Sequence, residues 1–272
     1  MRLFRNNSGW WLERNGSCAP LENLNFDWWL SLEDPLEQIR KLAETAVFRP
    51  GTPEAGRPMG CQEVWGAGVT YKRSQTERIN ESDFCARAYA HVYSATRPEI
   101  FFKSNPDRCV GPGDTMKLRA DARWNVPEPE LVLVVAANKK IVGYTAGNDL
   151  SSRDIEGSNL LYLPQAKIWD TSCAIGPALL LADTEVDIRR AKIILEIRRN
   201  SQIVYQGETF VSEMNRTPEE LVEWLFRDQT FRKGVFLMTG TGIVPNPEFT
   251  LHSGDEMQIS ITSIGTLINT IA

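Results

Sequence analysis

The sequence predicts a mixed α+β protein dominated by a sheet that folds on itself. Strand-like apolar runs outnumber helical ones, and the 19 glycines punctuate those runs as turns and bends. At 272 residues the chain is long enough for one large domain, or for one large and one small.

The elements follow in order. The first fifty residues alternate short apolar stretches with polar turns and hold one helix. Ser31 is its expected N-cap, Pro35 lies in the first turn, and Leu36, Ile39, Leu42 and Ala46 share a face. FRPGTPEAGRPM, residues 48–59, has three prolines and two glycines, which places a boundary there. A small N-terminal α/β domain over 1–58 and a larger domain over 59–272 are therefore expected. Glu63–Val69 reads as a buried strand and residues 81–95 as a helix. Leu131–Val135 and Ile141–Ala146 read as strands joined by Asn138-Lys139-Lys140. Lys192–Arg198 and Gln202–Tyr205 form a hairpin around Asn200-Ser201. Thr217-Pro218-Glu219-Glu220 starts a helix that carries Leu221, Trp224 and Leu225. From Phe236 to the end the pattern is glycine-punctuated strand.

Composition removes several function classes. With 42% hydrophobic and 24% charged residues the chain is not a disordered one. Its longest apolar runs, such as LVLVVAA at 131–137, are far too short to span a bilayer. The N-terminus MRLFRNNSGWW lacks an apolar signal core, so a cytoplasmic location is expected. A net charge of −5 without basic clusters argues against nucleic acid as a partner. Five scattered cysteines without C-x-x-C read as reduced thiols. Two histidines, His91 and His252, exclude a multi-histidine metal site. A metal here would sit on oxygen ligands, which favours Mg²⁺, Mn²⁺ or Ca²⁺ over zinc.

Three segments carry chemistry. Pro127-Glu128-Pro129-Glu130 precedes the strand at 131–135, and side chains two apart in an extended chain share a face. The two carboxylates then lie about 6–7 Å apart, at about 3.3 Å per residue, close enough to need solvent or a bridging cation. In GYTAGNDLSSRD, residues 143–154, Asp149 follows a strand end and could complete a three-carboxylate set. The alternative there is an Asn-Asp turn with Arg153 paired to a nearby acid. Lys167, in KIWDT, is either drawn in beside the carboxylates or snorkels at the surface.

Together, Glu128-x-Glu130, GYTAGNDLSSRD, K-x-W-D-T with Ile175-Gly176-Pro177, Thr239-Gly240-Thr241-Gly242, Ser253-Gly254-Asp255 and the closing IGTLIN resemble the fumarylacetoacetate hydrolase superfamily, from about Gln62 to the C-terminus. The resemblance implies a β-roll catalytic domain and a divalent metal, Mg²⁺ or Mn²⁺, on Glu128, Glu130 and Asp149. It also implies Lys167 beside the metal, Thr241 near the substrate, and a homodimer or higher homo-oligomer.

Departures from the pattern sort the family's activities. Hydrolytic members carry Gly-x-Asn-Tyr-x-x-His where this chain has Gly68-Val69-Thr70-Tyr71-Lys72-Arg73-Ser74; tyrosine is kept, asparagine and histidine are not. A water-activating base is thereby weakened, with only His91 nearby. VWGAGVTYKRS, RPEIFFKS and VGPG look instead like the 2-keto-3-deoxy sugar-acid dehydratases of pentose catabolism. That resemblance implies dehydration of a 2-keto-3-deoxy-arabinonate or -xylonate to 2-oxoglutarate semialdehyde. Glu99 would be the acid–base group beside Lys167, with Tyr71, Arg73, Ser74 and Lys103 around the substrate. Acylpyruvate hydrolysis, 2-oxo acid decarboxylation and hydroxy-diene-dioate isomerisation on the same metal are the alternatives, as is a non-catalytic 2-oxo acid binder.

Overall fold

The computed structural model describes residues 1–74, 83–182 and 187–272. An antiparallel meander opens the chain: β1 (Arg2–Asn6), β2 (Gly9–Arg14), β3 (Ser17–Leu21), then helices α1 (Phe26–Trp29) and α2 (Pro35–Thr45) and a short β4 (Arg49–Pro50). The cap of α2 is Asp34, whose carboxylate accepts from the Glu37 N–H at 3.1 Å. Ser31, the expected cap, instead donates to the Trp28 carbonyl. Both oxygens lie within a few residues of Pro35, and only Asp34 stands at the last non-helical position.

Next come β5 (Val64–Gly68), α3 (Asp83–Ser94), β6 (Glu99–Ser104) and three two-residue strands, β7 (Cys109–Val110), β8 (Thr115–Met116) and β9 (Asn125–Val126). The helix expected over 81–95 is α3; residues 81 and 82 lie outside the described residues. Then follow β10 (Pro129–Val135), β11 (Ile141–Asp149), β12 (Ser151–Ser152), α4 (Arg153–Ser158), α5 (Leu163–Lys167) and β13 (Cys173–Leu181). The chain ends with the hairpin β14 (Lys192–Arg199) and β15 (Gln202–Phe210), α6 (Pro218–Leu225), β16 (Val235–Met238), β17 (Glu256–Ile261) and β18 (Gly265–Ile271). Thr217 caps α6 as expected, accepting from the Glu220 N–H.

Two sheets organise these strands. An eleven-stranded sheet runs β4-β3-β2-β1-β13-β11-β10-β16-β5-β6, with β7 beside β13. A five-stranded sheet runs β15-β14-β17-β18-β8. Every residue of β10 is buried, because both of its faces are covered. Leu131, Leu133 and Val135 pack with Ile193, Leu195 and Ile197 of β14. Val132 and Val134 pack on the other side with Leu3, Trp10, Phe26 and Trp29. The N-terminal meander therefore continues the large sheet, through β1 against β13, and shares a core with residues far beyond position 58. No break in the sheet accompanies the proline-rich stretch at 48–59. No described helix is long and apolar enough to cross a membrane.

Candidate active site

The site forms where β10 begins and β11 ends. Pro129 pairs with Asn148 and Glu130 with Gly147, so the start of one strand lies against the end of the other. Glu128 and Glu130, two apart, reach Asp149 from one side. All three carboxylates are at least 97% buried, and one oxygen from each lies within 4.8 Å of the others. Asn148 locks the junction: its Oδ1 accepts from the Glu128 N–H at 3.2 Å, and its Nδ2 donates to the sulfurs of Met116 and Met257. Glu130 Oε2 accepts from the Gly240 N–H at 2.6 Å. Gly240 has φ +90°, and a Cβ there would lie 2.1 Å from Thr70 Oγ1, so only glycine brings that N–H to the carboxylate.

Three buried cations surround the cluster. Lys167, at the end of α5, donates to Glu128 Oε2 at 2.9 Å, Asp149 Oδ2 at 3.0 Å and Ser151 Oγ at 2.6 Å. Arg153 pairs with Glu128 Oε1 at 2.9 Å, and Lys103 Nζ stands 2.5 Å from Asp149 Oδ1. Removing one partner from such an array would leave a buried charge uncompensated, so the array holds only as a whole. Glu130 is held by a backbone N–H rather than by a cation. Burial first, then the charges of Asp149 and Glu128, push its carboxyl pKa well above the usual range. Three hard oxygen ligands at this spacing suit a divalent cation of the magnesium type.

A narrow cavity opens over the cluster, walled by Ala67, Gly68, Val69, Ser74, Phe101 and Thr241. Ser74 and Thr241 thus line the cavity over the carboxylates. Glu99 is half-buried and leans across Gly68 so closely that a Cβ there would lie 1.9 Å from its Oε2. It also borders an apolar recess with Val92, Leu160 and Leu163. Tyr71 is buried behind the wall; its hydroxyl has no partner among the described residues, and burial, Glu130 and Glu213 raise its pKa. Besides Tyr71, two more expected substrate contacts lie off the cavity wall. Arg73 is exposed and reaches the Val244 carbonyl at 3.4 Å, because its neighbour Ser74 takes the inward position. Lys103 is fully buried beneath the carboxylates, because β6 pairs with β5 and turns that side chain into the protein. His91 is exposed on α3, and no histidine lines the cavity among the described residues.

Ser151 and Arg153 were quoted in the sequence without a site role. The available signal was that both follow Asp149 within four residues of a strand end, where the chain must turn back over its own carboxylate. Arg153 does pair with a nearby acid, and that acid is Glu128.

An acidic triad with a buried lysine, at the junction of two strands in a sheet of this topology, defines a class of metal-dependent enzymes. Residues 63–272 match the fumarylacetoacetate (FAA) hydrolase C-terminal family. The chain belongs to that family. Within it, the chain is 44% identical over 214 residues to a Haloferax volcanii protein named "Probable 2-keto-3-deoxyxylonate dehydratase", covering 79% of this chain and 73% of that one. It is 41% identical over 219 residues, with the same coverage, to the 2-dehydro-3-deoxy-D-arabinonate dehydratase of Saccharolobus solfataricus. A solved 2-keto-3-deoxy-D-arabinonate dehydratase, complexed with magnesium and 2,5-dioxopentanoate, superposes with a TM-score of 0.82 at 33% identity, covering all of this chain and 98% of that one.

Proposed function

We propose that this chain is a magnesium-dependent hydro-lyase that dehydrates a 2-keto-3-deoxy-pentonate, of the arabinonate or xylonate type, to 2,5-dioxopentanoate. The observation that carries the reading is the buried triad Glu128, Glu130 and Asp149 with Lys167 in contact, while Glu99 packs against Gly68, a residue of the cavity wall. Identity above 40% to two dehydratases supports it.

Charge balance also favours an anionic substrate. With every group ionised, as metal binding requires, the buried Glu128, Glu130, Asp149 and Glu156 (whose Oε2 lies 4.0 Å from Arg153 Nε) face Lys103, Lys167 and Arg153, leaving one negative charge. A dication reverses that to one positive charge, which a single 2-oxo carboxylate neutralises. Bound on the three carboxylates, the metal polarises the 2-oxo group and acidifies the C3 protons.

The chain's own groups do the rest. Lys167 keeps a positive charge beside the growing negative charge on the C2 oxygen. Glu99 takes the C3 proton and returns one to the departing C4 hydroxyl, so that water leaves. One C5 proton then moves to C3, leaving a C4=C5 enol, and the enol O–H proton moves to C4, so that the C5 carbinol becomes the aldehyde. Ser74 and Thr241 offer hydroxyls to the tail. Hydrolysis on the same triad needs a base for water, and among the described residues the cavity wall offers no histidine for it.

We also infer a cytoplasmic homo-oligomer. Ile203, Val204 and Phe210 stand 50%, 41% and 40% exposed on β15, the edge of the five-stranded sheet, which suits a second copy. Purified protein with Mg²⁺ and 2-keto-3-deoxy-arabinonate is expected to yield an aldehyde that traps hydrazine reagents. Turnover of acylpyruvates with none of the sugar acids would sink the proposal.

A further inference from the structure

Lys103 is a charged group that the reaction leaves without a task. Its side chain is fully buried, so it meets no solvent, and it lies outside the cavity wall, so it meets no molecule bound there. Its ammonium has three donors; two backbone carbonyls accept from it and one carboxylate oxygen stands at ion-pair distance, on two segments of the chain. Asp149 Oδ1, at the end of β11, lies 2.5 Å away. The Leu150 carbonyl, in the link to β12, accepts at 2.9 Å. The Lys167 carbonyl, in the last turn of α5, accepts as well. That carbonyl is one of the acceptors a helix end leaves without an internal donor, and Ser172 Oγ donates to it at 3.1 Å. The ring of Trp169 closes one side, with its centroid 5.4 Å from Nζ.

The two lysines divide Asp149 between them, Lys167 on Oδ2 and Lys103 on Oδ1. Each carboxylate oxygen therefore has its own cation, and the plane of the carboxylate has little freedom to turn. Through the Lys167 carbonyl the same ammonium fixes the backbone from which Lys167 reaches the cluster. Lys103 also lies four residues after Glu99 on β6, so it ties the strand that carries Glu99 to the segments that carry the triad.

We propose that Lys103 is a positioning residue for the metal centre: it sets the orientation of Asp149 and of Lys167 and governs metal affinity rather than substrate affinity. The proposal rests on the reading that Glu128, Glu130 and Asp149 hold a divalent cation. Partners behind a carboxylate ligand typically change metal affinity by about 10–100-fold when removed.

The test uses Mn²⁺, whose free ion is counted directly by electron paramagnetic resonance, together with KM for the 2-oxo acid at saturating metal. Lys103→Met keeps length and removes charge. It is expected to raise the Mn²⁺ Kd by about 10–100-fold while leaving KM at saturating metal close to the wild-type value. A raised KM with an unchanged Mn²⁺ Kd overturns the proposal, as does no change in either. Should Lys103→Met fail to fold by circular dichroism, Lys103→Arg carries the test. Its planar fork holds Asp149 but does not reproduce three tetrahedral donor directions, so a weaker Mn²⁺ Kd is expected, and a wild-type Kd overturns the proposal. Wild-type protein that binds no Mn²⁺ overturns the metal reading and this inference together. Normal wild-type binding with unaltered variants overturns the role of Lys103 alone.

Discussion

On the floor of the cavity each cation is tied at more than one point or held fully buried, whereas the rim is loosely held and locally strained. Lys167 has three acceptors there and Asp149 two cations. Above them Arg73 is exposed and Leu161, beside the apolar recess, is 83% exposed. Val69 has a φ of +53°, a conformation that β-branched residues rarely adopt. On the proposed function the floor would bind what every 2-oxo acid shares, its carboxylate and carbonyl, and a buried, pre-set array would do that at little reorganisation cost. The rim must distinguish tails, and it is built from groups that small sequence changes can move.

The largest effect should come from the floor. Glu128→Ala removes a proposed ligand and takes one partner each from Lys167 and Arg153, so kcat is expected to fall by at least about 10³-fold, several kcal/mol of lost stabilisation. Chelation by EDTA should match that loss and Mg²⁺ should restore it only in the wild type. Glu99→Gln tests the rim. As an acid–base group it should cost about 10²–10⁴-fold in kcat, with metal binding untouched. Full turnover in Glu99→Gln would remove Glu99 from the chemistry and leave the floor standing.

Legibility divides along the same line. Glu128 and Glu130 could be paired from the sequence because a two-residue period puts both on one face of an extended chain. A strand end next to a turn only offered Asp149 as a third carboxylate, with an Asn-Asp turn as the alternative; the set of three rested on the family resemblance. Lys103 could not be placed, since its inward direction depends on β6 pairing with β5, some thirty-five residues earlier in the chain. Arg73 and Ser74 illustrate the same limit at closer range, for nothing local says which of two neighbours turns inward. The meander at the N-terminus looked like a separate unit because the β1–β13 pairing joins Arg2 to Leu180, a contact no local pattern announces.

A smaller effect concerns pH. Burial and the neighbouring carboxylates raise the Glu130 pKa, so the folded metal-free chain holds a proton there that the unfolded chain has already lost. Its contribution to stability therefore falls as pH rises from the ordinary glutamate value to the raised one. Metal binding must expel that proton, so Mg²⁺ affinity should increase with pH across the same window, by at most about tenfold per unit for one proton. Calorimetry in buffers of different ionisation enthalpy would count the proton. A pH-independent affinity would show that the floor is already fully ionised without metal.

The smallest effect is also the sharpest discriminator between the two regions. Val69 is buried against Val92, Tyr93 and Leu160, and a left-handed backbone at such a residue costs about 1–2 kcal/mol. Both Val69→Ala and Val69→Gly lose the same packing, but only glycine relieves the backbone. In an ordinary strand glycine is the worse of the two by about 0.5–1 kcal/mol. At Val69 the order should invert, with Val69→Gly as stable as Val69→Ala or more so in urea denaturation. At Val132, buried in β10, the ordinary order should hold. Glycine below alanine at both positions would mean that the rim stores no strain, and the contrast with the floor would then rest on solvent exposure alone.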